Sequence, residues 1–189
     1  ADRACRYASD IHEELTEAAE AAALLHDLGK YRDEFQEYLQ KKRRASIETH
    51  HAVYGAALAF KNGWLGPAFA IAGHHAGLHD RETLQAFVKD QKYNACAQLD
   101  LLCERFTREI GSVPAKIHEP SFVRYSAKGD GWQRCAEFYI RMLFSILVDA
   151  DFLDTAAHYE GADRQPQAFD PDSLLRQLIA EKSRKSGEG

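Results

Sequence analysis

The chain has 189 residues, of which 45% are hydrophobic and 28% charged, and its formal net charge is −5 at pH 7. This length and composition are ordinary for one globular domain with a full core, and no apolar run approaches the roughly 20 residues that a transmembrane helix needs. The first residues lack the charged-then-apolar order of a signal peptide, so we expect a cytoplasmic protein that does not enter a membrane.

Neither the overall charge nor the cysteines indicate a function. A negative net charge is not typical of a nucleic-acid binder, and the basic runs at 41–44 and 182–185 are most simply interpreted as solvated surface. The four cysteines form no C-x-x-C pair. This spacing argues against a disulfide framework and against a thiolate zinc site.

Apolar residues recur at helical spacing along the chain, and we find no convincing strand-like alternation. We therefore predict an all-α fold with one domain over 1–182 and a flexible C-terminal tail or linker over 183–189. Ser9 or Asp10 is expected to cap the first helix, and Asp170 the last. Loops are expected over 45–49 and 112–131. The predicted helices cover 13–28, 35–39, 50–61, 68–75, 82–88, 97–110, 132–155 and 173–182.

The histidines are unevenly distributed. There are nine in the chain, and five of them lie in three pairs of adjacent residues next to apolar helices. The pairs are His26-Asp27, His50-His51 and His74-His75. Neutral imidazole nitrogens and carboxylate oxygens are the ligands that divalent ions such as Mn, Fe, Ni or Zn take. Because buried polar groups otherwise need partners, this pattern favours a metal site.

Two acids in a later apolar segment, Asp149 and Asp151, supply a further carboxylate from another predicted helix. Asp27 could bridge two cations with its two oxygens. Two close divalent ions lower the pKa of a bound water and stabilise the attacking and leaving oxygens of a phosphoester. Lys30 follows Asp27 by one helical turn, and its ammonium could contact a substrate phosphate.

Four motifs follow one another in order between about 13 and 160. They are His-Asp-Leu-Gly-Lys at 26–30 followed by Phe35-Gln36, His51-x-x-x-Gly55-Ala56, Gly73-His74-His75-x-Gly77-Leu78-x-Asp80, and Leu147-Val148-Asp149-Ala150-Asp151-x-x-Asp154-Thr155. This ordered set closely resembles one family, the HD nuclease domain of the CRISPR-associated helicase–nuclease of type I systems. The resemblance implies an HD-superfamily helical bundle around a metal site.

The resemblance also implies a set of functional residues. Asp27 and Lys30 are expected to be catalytic, with Asp27 between two metals and Lys30 near the scissile phosphate. Asp151 is expected to be the late acid, with Asp149 as its close competitor. The implied cofactor is one or two divalent ions (Mn, Ni, Co, Fe or Mg), and the implied substrate is single-stranded DNA. The expected metal ligands are His26, Asp27, His51, His74, His75 and Asp151.

The chain departs from that family in two respects. Relatives carry an earlier histidine ligand, for which the sole candidate here is His12, closer to His26 than expected, so the ligand could belong to sequence before residue 1. The chain also holds no G-x-x-x-x-G-K-[ST] phosphate loop. The resemblance therefore implies that it works with a helicase domain or a separate helicase subunit, and with the CRISPR RNA-guided surveillance complex.

Two other functions remain open at this point. One is an HD phosphohydrolase that acts on nucleotides or cyclic dinucleotides, whose metal ligands would look alike. The other is a non-catalytic module that binds one metal or none and docks partners.

Overall fold

The computed structural model describes residues 1–46, 50–125, 131–161 and 170–186. Within these ranges the chain forms helices and connecting segments and no β-strand, so the predicted all-α fold is confirmed. None of the described helices is long and apolar enough to cross a bilayer. The α-helices are α1 (Asp2–Ile11), α2 (Thr16–Leu25), α3 (Asp33–Leu39), α4 (Ala52–Lys61), α5 (Leu65–Gly73), α6 (Arg81–Lys89), α7 (Ala95–Glu109), α8 (Ser121–Tyr125), α9 (Trp132–Glu160) and α10 (Pro171–Ser186).

Helix α5 is the centre of the core. All its residues from Gly66 to Gly73 are buried, as expected for a helix that is apolar on every side. It forms a hairpin with α4 through a turn in which Gly63 has a φ of +77°, and it packs against α2 and α9. Small residues on α2 let these helices approach closely, since Ala18, Ala21 and Ala22 are almost fully buried.

Two glycines allow α4 to lie against the segment that follows α2. A Cβ atom on Gly55 would collide with the backbone carbonyl of Leu25, and one on Gly29 would collide with the backbone of His51. Any other residue at either position would force the two segments apart. The short 3-10 turn Leu28–Tyr31 therefore sits directly beside the start of α4.

The structure corrects the predicted N-terminal elements. Ser9 and Asp10 do not cap a helix, because both lie inside α1, which packs Ala4 and Ala8 into the core. The predicted helix over 13–28 is instead a 3-10 turn, Glu13–Leu15, followed by α2, which ends at Leu25.

Other boundaries differ less. The predicted loop over 112–131 contains the short helix α8, with 126–130 outside the described residues. Asp170 caps α10 as predicted, since its Oδ1 accepts a hydrogen bond of 3.1 Å from the Ser173 amide. Helices α9 and α10 run beyond their predicted ends, and residues 183–186 of the predicted tail are helical. The rest of that tail, 187–189, and residues 47–49 of the predicted loop over 45–49 lie outside the described residues.

Gly55→Ala should destabilise the protein by about 1–3 kcal/mol, because the added methyl overpacks the contact between α4 and the Leu25 carbonyl. Urea unfolding followed by circular dichroism measures this change. Gly131→Ala is the matched control, since Gly131 has right-handed helical backbone angles and no atom within 4 Å of an added Cβ. Equal stability of Gly55→Ala and the wild type would contradict the packing described here.

Candidate metal centre

The ends of three helices and the side of a fourth meet at one place. His26 follows the last residue of α2, His51 precedes the first residue of α4, and His74 follows the last residue of α5. Asp151 projects from within α9. Residues that are far apart in the sequence are therefore brought within a few ångströms of one another by the packing of α2, α4, α5 and α9.

The Asp27 carboxylate lies between the imidazole of His26 on one side and that of His51 on the other. Its Oδ2 atom is 3.3 Å from His26 Nε2 and 2.7 Å from Lys30 Nζ. Its Oδ1 atom is 3.4 Å from His51 Nε2, on the other side. Asp151 Oδ1 lies 3.5 Å from the same His26 nitrogen. The two oxygens of Asp27 thus face different nitrogens, which is the arrangement that a bridging carboxylate needs.

Three histidines form a group on the His51 side. His51, His74 and His75 each offer one nitrogen, and these atoms all lie within 4.8 Å of one another. The Nε2 atoms of His51 and His75 are 3.0 Å apart, and the ring centroids of His74 and His75 are separated by 3.9 Å. Ring nitrogens spaced in this way could hold one divalent ion.

Hydrogen bonds fix which nitrogen of two histidines faces the site. His26 Nδ1 lies 2.8 Å from the Ala23 carbonyl, and His74 Nδ1 lies 2.7 Å from the Ile71 carbonyl. A carbonyl oxygen can only accept, so each Nδ1 must carry the proton and donate. When the ring is neutral, each Nε2 keeps its lone pair, as in the histidine ligands of metalloproteins.

Unsatisfied atoms concentrate at this place. Among the described residues, the buried side-chain atoms without a hydrogen-bond partner are Thr16 Oγ1, His26 Nε2, Asp27 Oδ1 and His74 Nε2. Three of these four face the cluster, although a buried polar atom left unpaired is costly. His26 Nε2 is close to two carboxylates without making a hydrogen bond to either. A bound cation would give all three atoms a partner, so the residues fit a metal site.

Burial sets the charge of the imidazoles. Desolvation lowers the pKa of His51 and of His74 to about 4, so both rings are neutral at neutral pH, the form that binds metals. At His26 burial also opposes the charged form, but the Asp151 and Asp27 carboxylates outweigh it and raise the pKa. In turn His26 lowers the pKa of Asp151.

Most of the remaining histidines and the competing acid lie elsewhere. Asp149 is exposed on α9, in contrast to the half-buried Asp151. His12 caps the first 3-10 turn and contacts the ring of Phe122, so it does not join the cluster. The ring of His50 stacks on Tyr93, and that of His79 lies against Phe87.

Further residues support the cluster, and the sequence motifs include only some of them. Phe35 contacts the His51 ring edge-on at 5.3 Å, and Gln36 donates a 2.7 Å hydrogen bond to the Lys30 carbonyl. Arg105 of α7 was visible only as one polar residue of an amphipathic helix. Its guanidinium donates to the Tyr31 carbonyl and to Asp33, and so holds the turn that carries Lys30 against α7.

Comparison with known proteins assigns the chain to a family. The model of the HD domain matches residues 1–109, more than half of the chain. The chain belongs to the HD domain family. No curated protein and no solved structure matches it. Membership of the HD family indicates a metal-dependent phosphohydrolase, and the histidine cluster could hold its divalent metal.

The HD match covers five of the six expected ligands but not the late acid. His26, Asp27, His51, His74 and His75 all lie within 1–109. Asp151 lies beyond the match, and it is associated with the HD cluster by its distance to His26 alone.

His51→Ala should lower divalent-metal binding at least about tenfold, because it removes one nitrogen of the three-histidine group. Metal content after dialysis, measured by mass spectrometry, checks this, with circular dichroism as the test of folding. The adjacent His50→Ala is the matched control, since His50 Nδ1 lies 3.1 Å from the Tyr93 hydroxyl, away from the group. Equal metal loss in both variants would contradict the assignment of ligands.

Proposed function

We propose that this HD domain is a metal-dependent nuclease that cleaves single-stranded DNA in type I CRISPR interference. The observation that carries the proposal is the position of Asp27, whose two oxygens face His26 on one side and His51 on the other. Such a carboxylate can hold two cations a short distance apart, the arrangement typical of phosphodiester-cleaving enzymes.

In this proposal each side of Asp27 contributes to one cation site. His26 and Asp151 complete the first site, and His51, His74 and His75 complete the second. The bound ions would be Mn, Ni, Co, Fe or Mg, and when bound they supply Lewis acidity and lower the pKa of a water.

Lys30 would act on the substrate. Its side chain is about two-fifths exposed, and its Nζ lies 2.7 Å from Asp27 Oδ2, so it could reach a phosphate bound to the cations beside this carboxylate. A positive charge there would stabilise the negative charge that develops on the phosphate oxygens. Its backbone carbonyl accepts the hydrogen bond from Gln36, which keeps the turn in place.

The choice of single-stranded DNA rests on the resemblance of the ordered motifs. The segment Gly73-His74-His75-x-Gly77-Leu78-x-Asp80 and the placement of Phe35-Gln36 favour a nuclease over a phosphohydrolase of nucleotides or cyclic dinucleotides. The same resemblance supplies the proposed partners, a helicase domain or subunit and the CRISPR RNA-guided surveillance complex. A cytoplasmic location follows from that setting.

Asp27→Asn should reduce cleavage of single-stranded DNA by about 100-fold or more while the fold is kept, because it removes the charge between the two cation sites. The wild type and the variant are loaded with manganese and assayed on a labelled single-stranded oligonucleotide. The same proteins are assayed on a panel of nucleotides and cyclic dinucleotides.

The outcomes separate the possible functions. Asp27-dependent cleavage of the oligonucleotide supports the nuclease. Asp27-dependent hydrolysis of the nucleotide panel alone would overturn the nuclease in favour of a nucleotide phosphohydrolase. Protein that carries no metal and hydrolyses neither substrate would indicate a non-catalytic module.

Asp151 and Asp149 offer a matched pair on one helix. Asp151→Asn should reduce cleavage and metal content strongly, because Asp151 is half-buried and 3.5 Å from His26, whereas Asp149→Asn should leave both unchanged, because Asp149 is exposed. Metal content and oligonucleotide cleavage are measured on both variants. The reverse pattern would make Asp149 the late ligand.

A further inference from the structure

A cavity of about 630 Å³ opens beside the metal centre, on the side of His26, Asp27 and Lys30. Its volume lies within the range of about 300–1,000 Å³ that is typical of small-molecule sites. None of the three clustered histidines His51, His74 and His75 lines it. The cavity therefore adjoins one particular side of the Asp27 carboxylate.

The cavity has preformed walls. Its lining includes residues of the turn Leu28–Tyr31, of α2 and α3, and of the C-terminal part of α7. Arg105 joins them, since its guanidinium donates a 2.7 Å hydrogen bond to the Tyr31 carbonyl and pairs with both oxygens of Asp33. A site whose walls are already fixed loses little entropy when a ligand binds.

Two large apolar side chains line this cavity while remaining exposed. Leu39 at the end of α3 is 57% exposed, and Ile110 just after α7 is 59% exposed. Single exposed apolar residues are common on protein surfaces and need no explanation. Here two of them, from different helical segments, line one cleft that also reaches His26 and Asp27, which indicates a ligand with an apolar surface.

Charged groups accompany the apolar walls. Lys30 lines the end of the cavity at Asp27, while Arg108 and Glu109 line it on α7. Arg108 pairs with Glu104 of its own helix, and both side chains are more than 60% exposed, so this pairing is weak and exchangeable. The α7 wall thus offers a hydrogen-bond donor in Arg108 and an acceptor in Glu109, and the Glu109 carboxylate disfavours a second phosphate.

A nucleoside has the chemistry that matches these walls. Its base has flat apolar faces, and its edge carries both donors and acceptors. Enzymes that act on nucleic acids commonly hold a base between apolar side chains and read its edge by hydrogen bonds. A free phosphate could use Lys30 and Arg108 but would leave Leu39 and Ile110 without a role.

We infer that this cavity binds one nucleoside next to the scissile phosphate, with Leu39 and Ile110 against the base and Arg108 and Glu109 at its edge. The inference rests on the proposed function and adds to it the residues that recognise the strand. It makes the nucleobase, as well as the phosphate backbone, part of what the protein binds.

Binding without metal tests this. The full chain is titrated in chelator with a fluorescent single-stranded oligodeoxynucleotide and with an abasic strand of the same length, which has the same phosphates and no bases. The wild type should bind the normal strand about tenfold more tightly than the abasic strand, the size of effect expected from contacts to one base. Ile110→Ser and Leu39→Ser should remove most of this difference and keep the wild-type metal content.

Leu101→Ser is the matched control, because Leu101 is 47% exposed on α7 and does not line the cavity. In cleavage assays the Ile110 variant should raise KM and leave kcat close to the wild-type value. Equal binding of the normal and abasic strands by the wild type would overturn the inference, and so would an unchanged difference in Ile110→Ser and Leu39→Ser. Either result would leave Asp27-dependent cleavage untouched, so failure of the cavity is distinguishable from failure of the nuclease proposal.

Discussion

The close approach of α4 to the end of α2 and the turn after it is the constraint on which the metal centre depends. Gly29 and Gly55 each face backbone atoms of the opposite segment, where no Cβ atom can be accommodated. Without this contact, the start of α4 would move away from the turn that carries Asp27, and the 3.4 Å distance between Asp27 Oδ1 and His51 Nε2 would be lost. The geometry of the site is thus determined by two residues that have no functional group.

Burial in the core controls the chemistry of the side chains that converge there. The same packing that excludes water from α5 lowers the pKa of His51 and His74 to about 4, which keeps both rings neutral. Carbonyl groups one helical turn earlier orient the rings of His26 and His74. The ends of α2 and α5 therefore fix the orientation of His26 and His74, because each histidine hydrogen-bonds to a carbonyl of the helix that it follows.

The sequence predicts the helical class well and the helix boundaries less well, and the roles that it predicts for the site residues remain predictions. Apolar spacing identifies α4, α5, α7 and α9 because their buried faces are long and regular. It misses α1, whose core contacts are made by Ala4 and Ala8, since alanine gives a weak pattern. It merges α2 with the turns on either side, because 3-10 turns keep nearly helical spacing. The cavity residues Leu39 and Ile110 form no motif at all, and only the packing of α3 and α7 on the turn brings them together.

The two sides of the Asp27 carboxylate differ in the residues that surround them and in their access to the cavity. On one side the group His51, His74 and His75 supplies three nitrogens from the protein itself. On the other side two residues, His26 and Asp151, offer ligand atoms, and Lys30 and the cavity adjoin them. A substrate that enters through the cavity would reach the side of His26 and Asp151 first. Lys30 lies there, and its ammonium is the only one among the described residues that contacts Asp27. Three histidines thus surround the possible cation position on one side of Asp27, while the cavity on the other side leaves room for a substrate.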